Sequence, residues 1–427
     1  MPLTFTNRGV KGCWDILAVG PRFGSTKLAA AITRGVLTLA VFSALLLIAL
    51  QPARAQTETV LHSFLGSTGD GQNPYYGTLI RDKNGNLYGT TLFGGSYGSS
   101  CGGGGCGTVF KLTARGKEKI LHSFDENGTD GYYPYGGLVI DSKGNLYGTT
   151  FFGGAYSGGT VFKVTPAGKE TILHNFDANA NGDGGNPYAG MVMDANGNLY
   201  GTTFTGGHNG GGTVFKVTPS ETETILYSFD PNGIDGYSPT GGLAIDTSGN
   251  LYGMTQFGGL YEDGTVFKVT SSGAETILHN FLGSPSDGAS PLYATPVLDT
   301  SGNLYGATHN GGLYGYGAVF ELTFAGTVTI LHNFDSNGDG YYPYGGLALD
   351  TKGNLYGTTP LGGAYGEGTV YELAPSRVET ILHSFDPSEA DGYGPQAGVV
   401  LDTKGNLYGT TMDGGTHNYG TVFKVTP

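Results

Sequence analysis

Six of the nine histidines share one recurring context: His62, His122, His174, His279, His332 and His383 each stand two residues before a phenylalanine, and Tyr227 takes the seventh such place. A tyrosine can replace a half-buried hydrogen-bonding ring but cannot replace a metal ligand of the same kind, so these histidines read as structural and no metal site is expected from them. The other three, His208, His309 and His417, fall in loops. His309 and His417, together with Asp413, break the surrounding pattern. Acid–base chemistry would require such groups to converge within hydrogen-bonding reach. Seven aspartates, Asp70, Asp130, Asp183, Asp235, Asp287, Asp339 and Asp391, each begin an Asp-Gly-x-x-Pro stretch. A catalytic acid is rarely needed seven times, whereas an Asp that accepts backbone N–H bonds before a Gly turn and a stiffening Pro is needed in every copy of a loop. No HExxH, GxSxG or phosphate-loop motif is present.

Calcium is an alternative use of these loops. Asp335-Ser336-Asn337-Gly338-Asp339-Gly340 matches the first half of an EF-hand loop, but position twelve is Gly346 instead of Glu, and polar turns explain the pattern equally well. No cofactor is expected. Cys101 and Cys106 flank four glycines; in an exported chain they are expected to pair and to close an otherwise floppy loop.

The elements that carry these residues repeat. Gly-Asn-Leu-Tyr-Gly begins at Gly85, Gly144, Gly197, Gly249, Gly302, Gly353 and Gly405, a period near fifty residues. One copy reads as four strands: 138–141, 145–150, 160–165 and 170–176, with hairpin-sized turns after the first and third. The segment from Glu58 to Phe64 is a fourth-type strand without its first three, and Thr421 to Thr426 is a third-type strand without its fourth. The ends would therefore complete one shared sheet. The fold expected is all-β, a seven-bladed β-propeller of four-stranded antiparallel blades, closed by pairing the N-terminal outer strand with three C-terminal strands.

The motifs GNLYGTT, GGxYxxGTVFKVT and ETILHSF resemble the GloVer (Gloeo_Verruco) tandem repeat of exported bacterial proteins, over nearly all of residues 58–427. The resemblance implies export and repeat identity, and it assigns no activity.

In such a blade the longer second-to-third and blade-to-blade links share one face, where binding residues would sit on a rigid frame. The variable positions of those links are rich in aromatics. Phe93, Tyr133, Phe152, Tyr156, Tyr237, Phe257, His309, Tyr342, Tyr393, Asp413 and His417 are the candidate ligand-binding residues. Rigid rings supply contact area at little entropic cost, which suits a glycan or a protein ligand. The alternative is that the rings pack between blades and fill the channel mouth.

Val36 to Leu50 is uncharged, follows Arg22, Lys27 and Arg34, and precedes Ala53-Arg54-Ala55. Residues 1–55 are read as a secretory signal peptide, removed before Gln56, and 56–427 as the propeller. The mature part holds 15 Lys/Arg against 34 Asp/Glu, which disfavours nucleic acid and anionic membranes as partners. The chain's only Trp, Trp14, lies in the expected signal, so the mature part has none. The expectation is an exported, periplasmic or extracellular monomer, not membrane-bound after cleavage. It would act as a non-enzymatic binding module; a polysaccharide lyase or hydrolase and a purely structural surface protein are the alternatives.

Overall fold

The computed structural model describes residues 57–427 apart from 67–68, 181, 233 and 389–390. The expected signal peptide lies outside the described residues. Gln56–Pro427 is one compact unit. It contains seven four-stranded antiparallel sheets, the blades of a seven-bladed β-propeller.

The second blade is representative: Val139–Ile140, Leu146–Thr150, Thr160–Val164 and Glu170–Asn175 run from the innermost to the outermost strand. The expected innermost strand of four residues is shorter, with only two paired to the ladder. Near the axis the chain packs against the next blade instead of its own sheet. A Cβ at Gly136 would meet the backbone of Ala189 and Gly190, and Thr149 Oγ1 donates to the Ala189 carbonyl at 2.8 Å.

The turn after this strand explains three letters of the repeat. Asp141 Oδ1 accepts the Lys143 and Asn145 amides, while Oδ2 accepts Asn145 Nδ2 and Tyr147 Oη. Gly144 takes φ of +82°, which favours glycine. The second glycine of the motif has a different cause. A Cβ at Gly148 would strike the Phe162 ring at 2.5 Å and the Leu138 side chain at 2.9 Å.

The core lies between blades. Phe124, ending the outer strand of one blade, meets Phe162 on the third strand of the next edge-on, with centroids 5.1 Å apart. The same T-shaped pair recurs at every interface from Phe64–Phe110 to Phe385–Phe423, with Tyr371 standing in once. Each such pair contributes about 0.5–1.5 kcal/mol beyond area burial. The chain ends join as one ladder: Thr57 lies opposite Thr426, Glu58 opposite Val425 and Val60 opposite Phe423. In each blade the outer strand carries a one-residue irregularity, at Leu173 in the second, and this bulge re-aims the histidine that follows.

Candidate functional site

Each blade carries a small antiparallel ribbon on its long-loop face. Two residues after the Thr-Thr of the second strand pair with the Gly-x of Asp-Gly-x-x-Pro, as Phe152–Gly153 does with Gly131–Tyr132. The glycine is dictated by packing. A Cβ at Gly131 would collide with Thr150, whose Oγ1 bonds Thr160 Oγ1 at 2.8 Å. The ribbon sets variable residues side by side: Phe152 opposite Tyr132, Phe257 opposite Tyr237, and Asp413 opposite Tyr393.

The next residue of the loop takes a left-handed conformation in six blades, with a glycine, Gly394, at positive φ in the seventh. Asn73 and Asn186 suit that region. Tyr133 and Tyr342, both at φ +59°, do not, and bulky residues held there mark strain that the surroundings enforce. Tyr133 is fixed by its amide on the Cys106 carbonyl (3.0 Å) and its Oη on the Cys101 carbonyl (3.1 Å). Cys101 and Cys106 are joined by a disulfide, so the glycine-rich insertion is fastened against this tyrosine.

The candidate residues form several groups. Tyr133 lies 5.4 Å from Phe93 and 6.3 Å from Phe152, centroid to centroid. Tyr237 and Phe257 pair at 5.6 Å. His309 stacks on Tyr342 at 4.9 Å. Tyr393 Oη bonds Asn418 Oδ1 (2.8 Å), and Asp413 Oδ1 accepts Asn73 Nδ2 (3.0 Å). Tyr156 and His417 project into solvent. His309, Asp413 and His417 do not bond one another. His309 is engaged with Tyr342 and Tyr344, Asp413 with Asn73, and His417 with Thr416 Oγ1. Burial lowers the His309 pKa and raises that of Asp413, against the bonds from Asn310 and Asn73 respectively.

The centre of the face is closed by tyrosines absent from the candidate set. Tyr76 and Tyr293 stack at 3.7 Å, Tyr188 lies 5.4 Å from Tyr293 and 5.2 Å from Tyr135, and Tyr344 lies 5.8 Å from Tyr293. Burial pushes Tyr135 up to about 12 and raises Tyr76 further still. Beneath them a cavity of about 150 Å³ is lined by Thr78, Thr240, Thr295 and backbone glycines. All of these tyrosines lie one or two places after the loop proline, a position set by sequence but not legible as axial without the ring.

The opposite holds at the second residue after the Gly-Gly pair. Tyr97, Tyr156, Tyr261, Tyr314 and Tyr365 are 45–59% exposed, and none makes a ring contact among the described residues. The end of the outer strand anchors this loop, as when Asn175 Oδ1 accepts the Ala155 amide at 2.9 Å.

The recurring histidines sit at the blade interfaces, each beside the Asp of its own loop. His122 Nε2 is 3.3 Å from Asp130 Oδ2 and 3.5 Å from Glu170 Oε1 of the next blade. That glutamate, at or next to the start of six of the seven outer strands, was not singled out from sequence; its only signal is its recurrence at Glu58, Glu118, Glu170, Glu223, Glu275 and Glu379. The loop aspartates do accept backbone amides: Asp70 takes those of Leu65 and Gly71. In the EF-hand-like stretch the two acids part company. Asp339 faces His332, while Asp335 caps the Asn337 amide.

The sequence matches the Gloeobacter/Verrucomicrobia repeat over residues 46–244, 97–295 and 243–427. The chain belongs to that family. No curated protein matches this Gloeobacter/Verrucomicrobia repeat chain. Among solved structures it is similar to the extracellular domain of BT3049 from B. thetaiotaomicron, a protein assigned as a hybrid two-component system. The TM-score is 0.54 at 16% identity, covering 87% of this chain and 41% of that one. The extracellular domain of BT4673, assigned likewise and from the same organism, gives 0.51 at 12% identity, covering 82% and 39%. The chain thus spans about two-fifths of each of these structures, and the likeness is one of fold. Among the described residues no helix is long and apolar enough to cross a membrane.

Proposed function

We propose that this repeat protein is exported and works as a non-enzymatic binding module, a monomer whose long-loop face takes a protein or glycan ligand. Export rests on the apolar run, the Ala53-Arg54-Ala55 site and a disulfide suited to an oxidising compartment. The domain division follows: 1–55 removed, 56–427 functional.

The carrying observation is the set of five exposed tyrosines at one repeat position. Unpartnered rings on a rigid frame are costly to leave in water and inexpensive in entropy to bury against a ligand. The strained backbone of Tyr133 and Tyr342 supports the same face, because such strain collects at ligand-contacting positions. The tyrosine cluster over the axis argues for a ligand that spreads across the face, not a small molecule held in the channel. A macromolecular surface or an extended glycan chain has that form.

The test is binding of the purified protein to a glycan array and to proteins of its own compartment. A variant carrying Tyr156→Ser, Tyr261→Ser, Tyr314→Ser and Tyr365→Ser should keep its thermal midpoint and lose at least tenfold in affinity. Tyr133→Ala with Tyr342→Ala should weaken binding too. Binding untouched by both variants would overturn the assignment of this face.

A further inference from the structure

At five blade interfaces a His, an Asp and a Glu bring one potential ligand atom each to within 4.8 Å of the others. Two belong to one blade and the Glu to the next. The clusters are built on His62, His122, His174, His332 and His383, the last completed by Glu58 from the chain's first strand. In the set around His122, Nε2 lies 3.3 Å from Asp130 and 3.5 Å from Glu170. Ligands about 2.0–2.1 Å from a tetrahedral zinc ion lie roughly 3.3–3.4 Å from one another. The spacing therefore already fits a common centre.

A second, independent observation is the bonding left undone. In all five clusters the Glu Oε1 is buried and has no hydrogen-bond partner. In the His122 cluster, Asp130 Oδ1 is also unpartnered, on a side chain only 9% exposed. His62 Nε2 and Glu118 Oε1 face each other at 3.9 Å, both unsatisfied. Buried polar atoms are seldom left so, and here the omission recurs at all five clusters and at Glu275, where Tyr227 replaces the histidine. Charge points the same way. Each cluster holds two carboxylates, and among the described residues no Lys or Arg is ion-paired with any of them. Two carboxylates this close stay ionised together only beside a cation; otherwise one of them holds a proton.

The two incomplete interfaces bond their aspartates differently. In the third blade Tyr227 replaces the histidine and donates directly to Asp235 at 2.5 Å. In the fifth, Val328 stands where the glutamate would be, and His279 closes onto Asp287 at 2.7 Å. In both, the aspartate is satisfied by a direct bond, while Glu275 Oε1 at the first of them stays buried and unpartnered.

We infer that the five His-Asp-Glu clusters are divalent-cation sites of mixed nitrogen and oxygen character, suited to zinc, which clasp neighbouring blades together. One imidazole and two carboxylates, with water completing the shell, are ligands that zinc accepts, and the two negative charges balance the ion.

The test uses protein expressed from the full chain, stripped with chelator, loaded with zinc chloride and desalted, with bound zinc counted by mass spectrometry. Zinc should approach five per chain. Glu170→Gln keeps the side-chain volume and should lose about one equivalent. His122→Tyr copies the third blade's own arrangement, so it should fold and lose the same equivalent. Any count between one and five that falls by about one in both variants supports the inference. Less than one zinc per folded chain, or a count unchanged in either variant, overturns it; the orphaned atoms would then be satisfied by water or protons.

Discussion

Tyr76 and Tyr293, from the first and fifth blades, stack with ring centroids 3.7 Å apart and planes 21° apart. This contact spans the ring instead of following it, so it ties together blades that share no ladder. Tyr76→Ala would remove the stack and open the 150 Å³ cavity beneath. A half-buried ring in a cluster is worth less than a core phenylalanine, so the expected loss is about 2–3 kcal/mol in chemical denaturation. Tyr156→Ala, at an exposed ring, should stay within about 0.5 kcal/mol of the parent.

A second prediction concerns closure. Phe64 is fully buried and meets Phe110 edge-on at 5.3 Å, where the blade shared by the two chain ends meets the first complete one. Phe64→Ala should cost about 3–5 kcal/mol. Loosening this strand would also bare the edge of Thr421–Thr426, so oligomers should appear in size-exclusion chromatography. A variant that stays monomeric and equally stable would mean that the first strand does not close the ring.

Much of this architecture was legible in the residues. The repeat period, the four strands and the split blade follow from GNLYG and from strand types left unmatched at the ends. Positions that depend on closure were not legible. Nothing local marks Tyr76 as axial or Tyr97 as exposed; both are tyrosines in polar, glycine-rich loops, and only the ring decides which points inward. The loop aspartates were readable as amide acceptors because that bonding is local. The glutamate that meets His122 comes from the neighbouring blade, and sequence spacing does not register a contact between blades. The innermost strand was read too long because the glycines after Pro134 favour approach to Ala189 over pairing in the sheet.

The disulfide yields a third prediction. Cys101 and Cys106 close a loop of a few residues, for which the chain-entropy estimate is about 2 kcal/mol. Cys101→Ser with Cys106→Ser should therefore destabilise modestly. Its main effect should be local, because the loop also holds Tyr133 Oη and, through the Cys101 amide, Glu126. Limited proteolysis should cut the double variant within residues 96–106 and spare the parent. Equal resistance in both would show that the hydrogen bonds alone hold the loop.

The last prediction is a pH dependence. In six blades the aspartate of the first turn has a depressed pKa: Asp82, Asp141, Asp194, Asp246, Asp350 and Asp402. Partial burial pushes each upward, but bonds from the following Asn, backbone amides and the motif tyrosine outweigh it. A carboxylate whose folded pKa lies below its unfolded value of about 3.9 binds fewer protons in the fold. The stability it contributes is fully present above that value and is lost as pH falls through the folded pKa. The thermal midpoint should therefore drop steeply below about pH 4, with six carboxylates contributing together. Asp141→Asn should lower stability at pH 6 and reduce the acid-side slope, because one proton fewer is taken up on unfolding. A slope identical to the parent's would mean that this turn carboxylate does not drive acid unfolding.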